Sequence, residues 1–595
     1  MTTALPDADA PAIGARVALR RALREAPAVL RGFPLTLLLM TLGTAMQIVV
    51  PVVIQQMVDG EILAEGGVDG GGVLRLGLVA LVAIVAAAAA RRQGLVRMLR
   101  ASATGLSDLR VAVFRHLHRL SILHVEGERR GALVSRVTAD IATIQDFMDF
   151  GGVAMILGSL QVVLAVGVMT WYRWQLSLLV VVGVVAYGLL LSWFQRILAR
   201  AHDRVRGRVA DSLAAVGEAI SGLPVVRAYG AEDTTLARVR RALDGQFLAE
   251  FRANRLGAFL FSSAELFAGL ITAAVIGVGV WLGAGRGVSA GGLLAFLFLV
   301  NLLVEPVQMV VETLDLAQSA GAGVRRILGV LDTAVDVPDP VDGVDLPEGR
   351  LDVDFEEVRF RYPTGPDVLS DVTVHLPDGT RVAVVGETGS GKTTFAKLVT
   401  RLLDPTEGWV LIGGVPLNRV RFASLRRRVA FVPQEGFLFD TTVRANVRYG
   451  RPEATDDEVE AAFAELGLAD WLEQLPAGLD TPVGERGGRL SAGERQLVAL
   501  VRAWIADPAL LVLDEATSAV DPALEVRLRR AIERLTGGRT SITVAHRLST
   551  AEAADEVLVF DRGRLVERGR HDDLLARGGA YAALHADWAA GTTNR

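Results

Sequence analysis

Six long apolar runs, at 33–57, 73–92, 151–171, 176–195, 257–284 and 288–312, limit what this chain can become. The second contains "LGLVALVAIVAAAAA" and the fourth "LSLLVVVGVVAYGLLLSW". A helix crosses the hydrocarbon core of a bilayer with about 17–25 mostly apolar residues. A soluble core helix rarely stays apolar on all sides for that long. Inside hydrocarbon each backbone N–H and C=O must be satisfied within the segment, so these runs predict helices. The apolar excess, 51% of residues and a mean hydropathy of +0.37, gathers before about residue 312. Beyond it the chain reads as an ordinary α/β protein.

Arginine placement sets the expected orientation, since cytoplasmic loops carry the excess of positive charge. Arg16, Arg20, Arg21, Arg24 and Arg31 precede the first run, and Arg97, Arg100, Arg110, Arg115 and Arg119 follow the second. The loop "DGEILAEGGVDGGG" after the first run has acids and no base. The N-terminus, both long loops and the second half are therefore expected in the cytoplasm of a multi-pass cell-membrane protein. Residues 16–31 read as an amphipathic helix on the membrane surface. The first run does not read as a cleaved signal peptide: it is too long and lacks a small-residue cleavage site. The two long loops are helical and charged, and are expected to run as levers into the cytoplasm, with contact points around 120–131 and 222–230.

Polar side chains within apolar spans are costly and need a reason. Gln47, Gln161, Glu265, Asn301 and Glu305 are such residues. Glu265, Asn301 and Glu305 are the substrate-site candidates. The two acids could face a cavity and meet a cationic substrate or a proton; they could equally sit near the interface or pair with an arginine. Pro306 is expected to kink the sixth span.

The second half opens with a Pro-, Asp- and Gly-rich stretch, "VDVPDPVDGVDLPEGR". The domain boundaries read as 1–32 for the N-terminal segment, 33–325 for the transmembrane domain, 326–350 for the linker and 351–590 for the α/β domain. Within the last lies "RVAVVGETGSGKTTFAKLVTRLL", a strand, a glycine-rich loop and a helix, matching the phosphate-binding pattern GxxxxGK[ST]. Gly386, Glu387, Thr388, Gly389, Ser390, Gly391, Lys392, Thr393 and Thr394 form the candidate cradle. Lys392 and Lys397 are the only lysines among 595 residues. Arginine serves elsewhere, but a compact ammonium fits a phosphate slot that a planar guanidinium does not. Lys397 reads as an exposed helix residue.

The cradle is followed by an ordered series: "FVPQE" with Gln434, "LSAGERQ" with Ser491 and Gly493, "LLVLDEATSAVD" with Asp514, Glu515 and Asp521, and "VAHRLST" with His546. Tyr362 precedes it. This series resembles the nucleotide-binding domain of ATP-binding-cassette proteins. With the six spans and two long loops, residues from about 16 to 585 resemble an exporter-type half-transporter of the multidrug and lipid exporter class. The resemblance implies an α-helical six-span domain followed by an α/β P-loop domain, and an ATPase coupled to transport, with ATP and Mg2+ as cofactors. It implies Tyr362 on adenine, Thr393, Gln434 and Asp514 around magnesium, Glu515 as base for the attacking water, His546 on the γ-phosphate, and Gln434 also linking to the membrane levers. Ser491 and Gly493 would meet the ATP of an opposing subunit, with Asp521 at the seam.

Two chains are thus implied. The family pattern LSGGQ becomes "LSAGE" here, with Ala492 and Glu494 as departures. An altered signature beside an intact catalytic glutamate places a heterodimer with a second half-transporter ahead of a homodimer. The expected cargo is an amphipathic or lipid-like small molecule, exported across the bilayer. An importer with the same fold and an ATP-gated channel or regulator are the alternatives. A net charge of −5 gives no sign of a nucleic-acid partner, and the absence of cysteine excludes disulfides and thiol chemistry.

Overall fold

Helices carry all the apolar runs. The structure, a computed structural model, describes residues 20–593 apart from 22–23, 25–26, 30, 64–67, 124–135, 287–288, 364, 515–521 and 546–547. Much of the 16–31 segment and most of the 120–131 contact point fall outside the described residues. The membrane half is built on α1 (Phe33–Gln56), α2 (Gly70–Leu117), α3 (Gly152–Ser221), α4 (Glu232–Arg286) and α5 (Ala290–Asp332). The runs 151–171 and 176–195 share α3, because only Arg173 leaves helical geometry between them (φ −157°, ψ 104°). Exposed Trp171 and Trp174 flank that break, where indole rings suit the membrane–water boundary.

The 48-residue α2 is about 70 Å long at 1.5 Å per residue, well beyond the ~30 Å of a hydrocarbon core. The charged loops are therefore extensions of the membrane helices, as their composition predicts. Packing is apolar where helices meet: Ile48, Met169, Leu176, Val275, Phe296 and Leu299 form a buried cluster. Leu78, Leu81, Val82, Leu189 and Trp193 are exposed instead. Such a surface suits a lipid solvent and would be a liability in water.

Pro306 lies inside α5, where it cannot donate to the carbonyl of Leu302 four residues earlier. Gln161 on α3 fills that gap: its Nε2 donates to Leu302 O at 2.9 Å. Gly158, one turn earlier, permits the approach, since a Cβ there would lie 3.2 Å from Pro306 O. One of the polar residues singled out in the spans is thus explained by backbone accounting.

Among the described residues the α/β half holds ten strands, β1 (Val353–Arg361), β2 (Asp367–Leu376), β3 (Arg381–Val385), β4 (Glu407–Ile412), β5 (Val415–Pro416), β6 (Val429–Val432), β7 (Leu510–Asp514), β8 (Thr540–Val544), β9 (Glu556–Asp561) and β10 (Arg564–Gly569). The first sheet, β2-β1-β4-β5, is antiparallel; the second runs β10-β9-β3-β8-β7-β6 and is parallel from β9 to β6. Between them lies α6 (Lys392–Val399), whose Phe395 stacks on Phe355 of β1 at 4.3 Å and approaches Phe560 of β9 at 5.3 Å. The helix that carries Lys392 is thereby held from both sides. A separate helical core around Phe463 and Trp471 supports α7 (Ala492–Ile505).

The described residues divide into two compact units, 20–117 with 136–332, and 118–123 with 333–593. The second is discontinuous in sequence. Ile122 and Leu123 of the first long loop pack on the core of the α/β half, and Ser121 Oγ donates to Asp336 Oδ2 at 3.1 Å. The last membrane helix continues as far as Asp332, into the stretch read as linker, before irregular chain leads to β1.

Candidate functional site

The buried strand β3 delivers Gly386 to the head of a tight loop. At φ 150° a Cβ on Gly386 would lie 2.1 Å from Phe560 O, so no side chain fits. Gly391 (φ 102°) caps α6, and its Cβ would lie 2.7 Å from Leu369 Cδ2. These two glycines allow the loop to close around the start of the helix, where amides converge on an anion. Lys392 is buried, and its Nζ donates to Gly386 O at 2.7 Å and Glu387 O at 2.8 Å. Ser390 is also buried, and its Oγ finds no hydrogen-bond partner among the described residues. A buried orphan hydroxyl costs free energy unless something else meets it, which fits a phosphate cradle.

Of the predicted residues, Thr388, Gly389, Gly391, Lys392, Thr393, Thr394 and Gln434 line one cavity of about 490 Å³, together with Val368. Thr393 Oγ1 donates to Asp514 Oδ1 at 3.3 Å, which joins the loop hydroxyl to the end of β7. A hydroxyl, a carboxylate and the nearby amide of Gln434 are oxygen donors of the kind magnesium takes. The Tyr362 hydroxyl lies 3.2 Å from Thr394 Oγ1, and its ring meets Phe360 edge-on. Tyr362 borders α6 without lining the cavity. Glu515, Asp521 and His546 lie outside the described residues. The strand ends that precede Glu515 and His546 are neighbours, with Asp514 in register with Val544.

Ser491 and Gly493 belong to α7 and do not line this cavity. Ser491 is the N-cap of α7. Its Oγ accepts from Glu494 N at 3.3 Å, and Glu494 Oε2 accepts from Ser491 N at 2.8 Å, a capping box. Trp471 Nε1 donates to Glu494 Oε1 at 3.2 Å. Burial disfavours the Glu494 charge, but the Ser491 and Trp471 hydrogen bonds outweigh it and hold this carboxyl below the usual range. Both oxygens of Glu494 are therefore engaged by its own helix and Trp471, a role that the departure from the family pattern does not announce.

A second cavity, of about 670 Å³, lies within the membrane unit. Asn301 and Glu305 of α5 line it, together with Gln47, Arg91, Asp149 and Gln161 and with apolar Leu95, Phe298 and Met309. Asn301 Nδ2 donates to its own helix, at Leu297 O (2.9 Å), and Arg91 Nη1 to Gln47 Oε1 at 3.3 Å. Glu265 is exposed on α4 and does not line this cavity, so the structure separates it from Asn301 and Glu305. Arg91 and Asp149 escaped the sequence reading, because each sits at the polar edge of a span.

Two family profiles match: one described as "ABC transporter transmembrane region" over residues 33–307, and one described as "ABC transporter" over 369–518. The chain belongs to the ATP-binding-cassette transporter family. Within it, this transporter is 35% identical over 480 residues to an ATP-dependent lipid A-core flippase of Chromohalobacter salexigens, covering 80% of this chain and 82% of that one. It is 33% identical over 547 residues to a multidrug efflux ATP-binding/permease protein of Mycobacterium tuberculosis, covering 91% of this chain and 45% of that protein. The solved structure of a bacterial Atm1-family exporter with ATP bound superposes with a TM-score of 0.78 at 28% identity, over 94% of this chain and 99% of that one. The transporter is a multi-pass membrane protein of the exporter type. Its cytoplasmic α/β domain binds and hydrolyses ATP, and that ATPase drives transport.

Proposed function

We propose that this transporter is one half of a dimeric exporter of amphipathic small molecules, with a different half-transporter chain as its partner. Lys392 and the amides of 386–394 hold the ATP phosphates, and Tyr362 borders the adenine. Thr393, Asp514 and Gln434 would hold magnesium, which would supply positive charge against the charge that builds on the phosphates. Glu515 orients and deprotonates the attacking water. His546 contacts the γ-phosphate. Ser491 and Gly493 face the ATP held by the partner, with Asp521 near the seam; that Ser491 and Gly493 do not line this chain's own phosphate cavity supports that reading. The contact points near 120–131 and 222–230 carry cassette closure to the spans.

The observation that carries the cargo class is the membrane cavity. Its lining combines apolar side chains with Glu305, Arg91, Asp149 and three amide side chains. An amphiphile with a cationic group would bury its apolar body on Leu95, Phe298 and Met309 and offer its charge to Glu305. Glu265, outside this cavity, becomes the weaker substrate candidate.

The test is ATP-driven accumulation of a fluorescent amphipathic cation in inside-out vesicles holding the chain with its partner. Accumulation that falls several-fold in Glu305→Gln, with ATP turnover retained, supports the reading. Equal accumulation in both would remove Glu305 from the site. Passive ion flux gated by ATP, without uphill accumulation, would favour the channel alternative.

A further inference from the structure

We propose that the C-terminal end of the ATPase domain carries a zinc site formed by Glu552, His571 and His585. The three belong to three short elements, the helices Leu548–Glu552, His571–Arg577 and Ala580–Thr593. One ligand atom from each lies within 4.8 Å of the others. His585 Nε2 is 3.8 Å from Glu552 Oε1, too long for a hydrogen bond, and the two imidazole rings are 5.5 Å apart. Two histidines of the chain's eight thus converge with one carboxylate. Two imidazoles and a carboxylate are a donor set that zinc takes, with a fourth position left for water.

The surroundings suit ligation. His571 Nδ1 and the Tyr581 hydroxyl are 2.7 Å apart. With Nδ1–H donating to that oxygen, Nε2 keeps its lone pair, the arrangement by which an outer partner orients a metal-binding imidazole. Tyr581 is fully buried and shares a core with Ala551 and Leu574, one residue from each of the three helices. The carriers are therefore rigid relative to one another. Tetrahedral zinc with ~2 Å bonds needs ligand atoms about 3.3 Å apart. Rotation of Glu552, 45% exposed against 23% for His585, supplies the remaining closure. The site would tie the C-terminal helix to the helix that begins two residues after His546.

The test is calorimetric titration of zinc chloride into the full-length, tag-free transporter in nanodiscs without nucleotide, alongside His585→Ala and Glu552→Gln. We expect one zinc ion per chain at a Kd of about 10 µM or tighter. Each variant should weaken binding at least tenfold. Zinc should raise the melting temperature of the wild type and not of the variants. Glu552 is exposed, so Glu552→Gln retains the fold if His585→Ala does not. Absence of binding in the wild type, or wild-type binding in a folded Glu552→Gln, overturns the site.

Discussion

Lys392 shows what a single residue must satisfy. It is buried, and its ammonium already donates to two carbonyls of its own loop, Gly386 O and Glu387 O. A guanidinium carries the same charge but is planar and larger, and its fork does not reproduce the compact contact of an ammonium on these two carbonyls. Lys392→Arg is therefore expected to lower ATP affinity about 10- to 100-fold, the loss of one or two charge-assisted hydrogen bonds. Equilibrium binding of a fluorescent ATP analogue measures this, and wild-type affinity would refute the steric argument. Glu494 gives the opposite expectation. Its carboxylate caps α7 and accepts from Trp471. Glu494→Gln keeps an acceptor at the cap and should leave ATP turnover within about twofold. Glu494→Ala should destabilise the ATPase domain by about 1 kcal/mol, the usual value of a cap. Because the folded carboxyl titrates below its unfolded value, this contribution is present at neutral pH. It is lost as pH falls below the ordinary glutamate range. Melting of wild type and Glu494→Ala at pH 7 and pH 4 should show the difference shrinking in acid.

Among elements, the pairing of α3 with α5 carries the sharpest expectation. Pro306 leaves Leu302 O without its helical donor, and Gln161 supplies one. Gln161→Leu should cost about 1–3 kcal/mol, the penalty of a buried unsatisfied carbonyl. Pro306→Ala restores an N–H to that carbonyl, so Gln161→Leu with Pro306→Ala should recover most of the loss. Thermal unfolding of the two single variants and the double forms the cycle, and strict additivity would show that the two residues act independently. The same pair shows where sequence reading stops. The spans, the P-loop and the gap between the third and fourth runs are legible because hydrophobic runs and glycine spacing are local. Gln161 is visible as a polar residue in a span, but its partner lies 141 residues away. The cavity joins Gln47, Arg91, Asp149 and Glu305 from separate spans, and no local pattern pairs them. Leu123 and Ile122 are an apolar pair in a charged loop, a faint signal that this loop docks on another surface.

At the scale of the whole molecule, the question is how many kinds of chain make a working exporter. Ser491 and Gly493 do not line this chain's phosphate cavity, so the ATP site we propose calls for a second subunit's α7. This transporter spans 45% of the mycobacterial relative, a length that leaves room there for a second half of similar size. Of the two signature departures, Glu494 is accounted for by capping. Ala492 remains: it adds a methyl at the first turn of α7, where an opposing phosphate would approach. If that methyl blocks the approach, two copies of this chain would make two impaired sites, and a partner with LSGGQ would repair the one that uses Glu515. The chain expressed alone in nanodiscs should then bind ATP and hydrolyse it no faster than its Glu515→Gln variant, which itself should lose about 100-fold or more of the turnover of the assembled transporter. Ala492→Gly tests the cause directly. If the single substitution raises turnover of the lone chain clearly above the Glu515→Gln blank, the methyl is the obstacle and the heterodimer follows from it. If the lone wild-type chain already turns over ATP well above that blank, two copies suffice, and Ala492 is a tolerated variant in a homodimer.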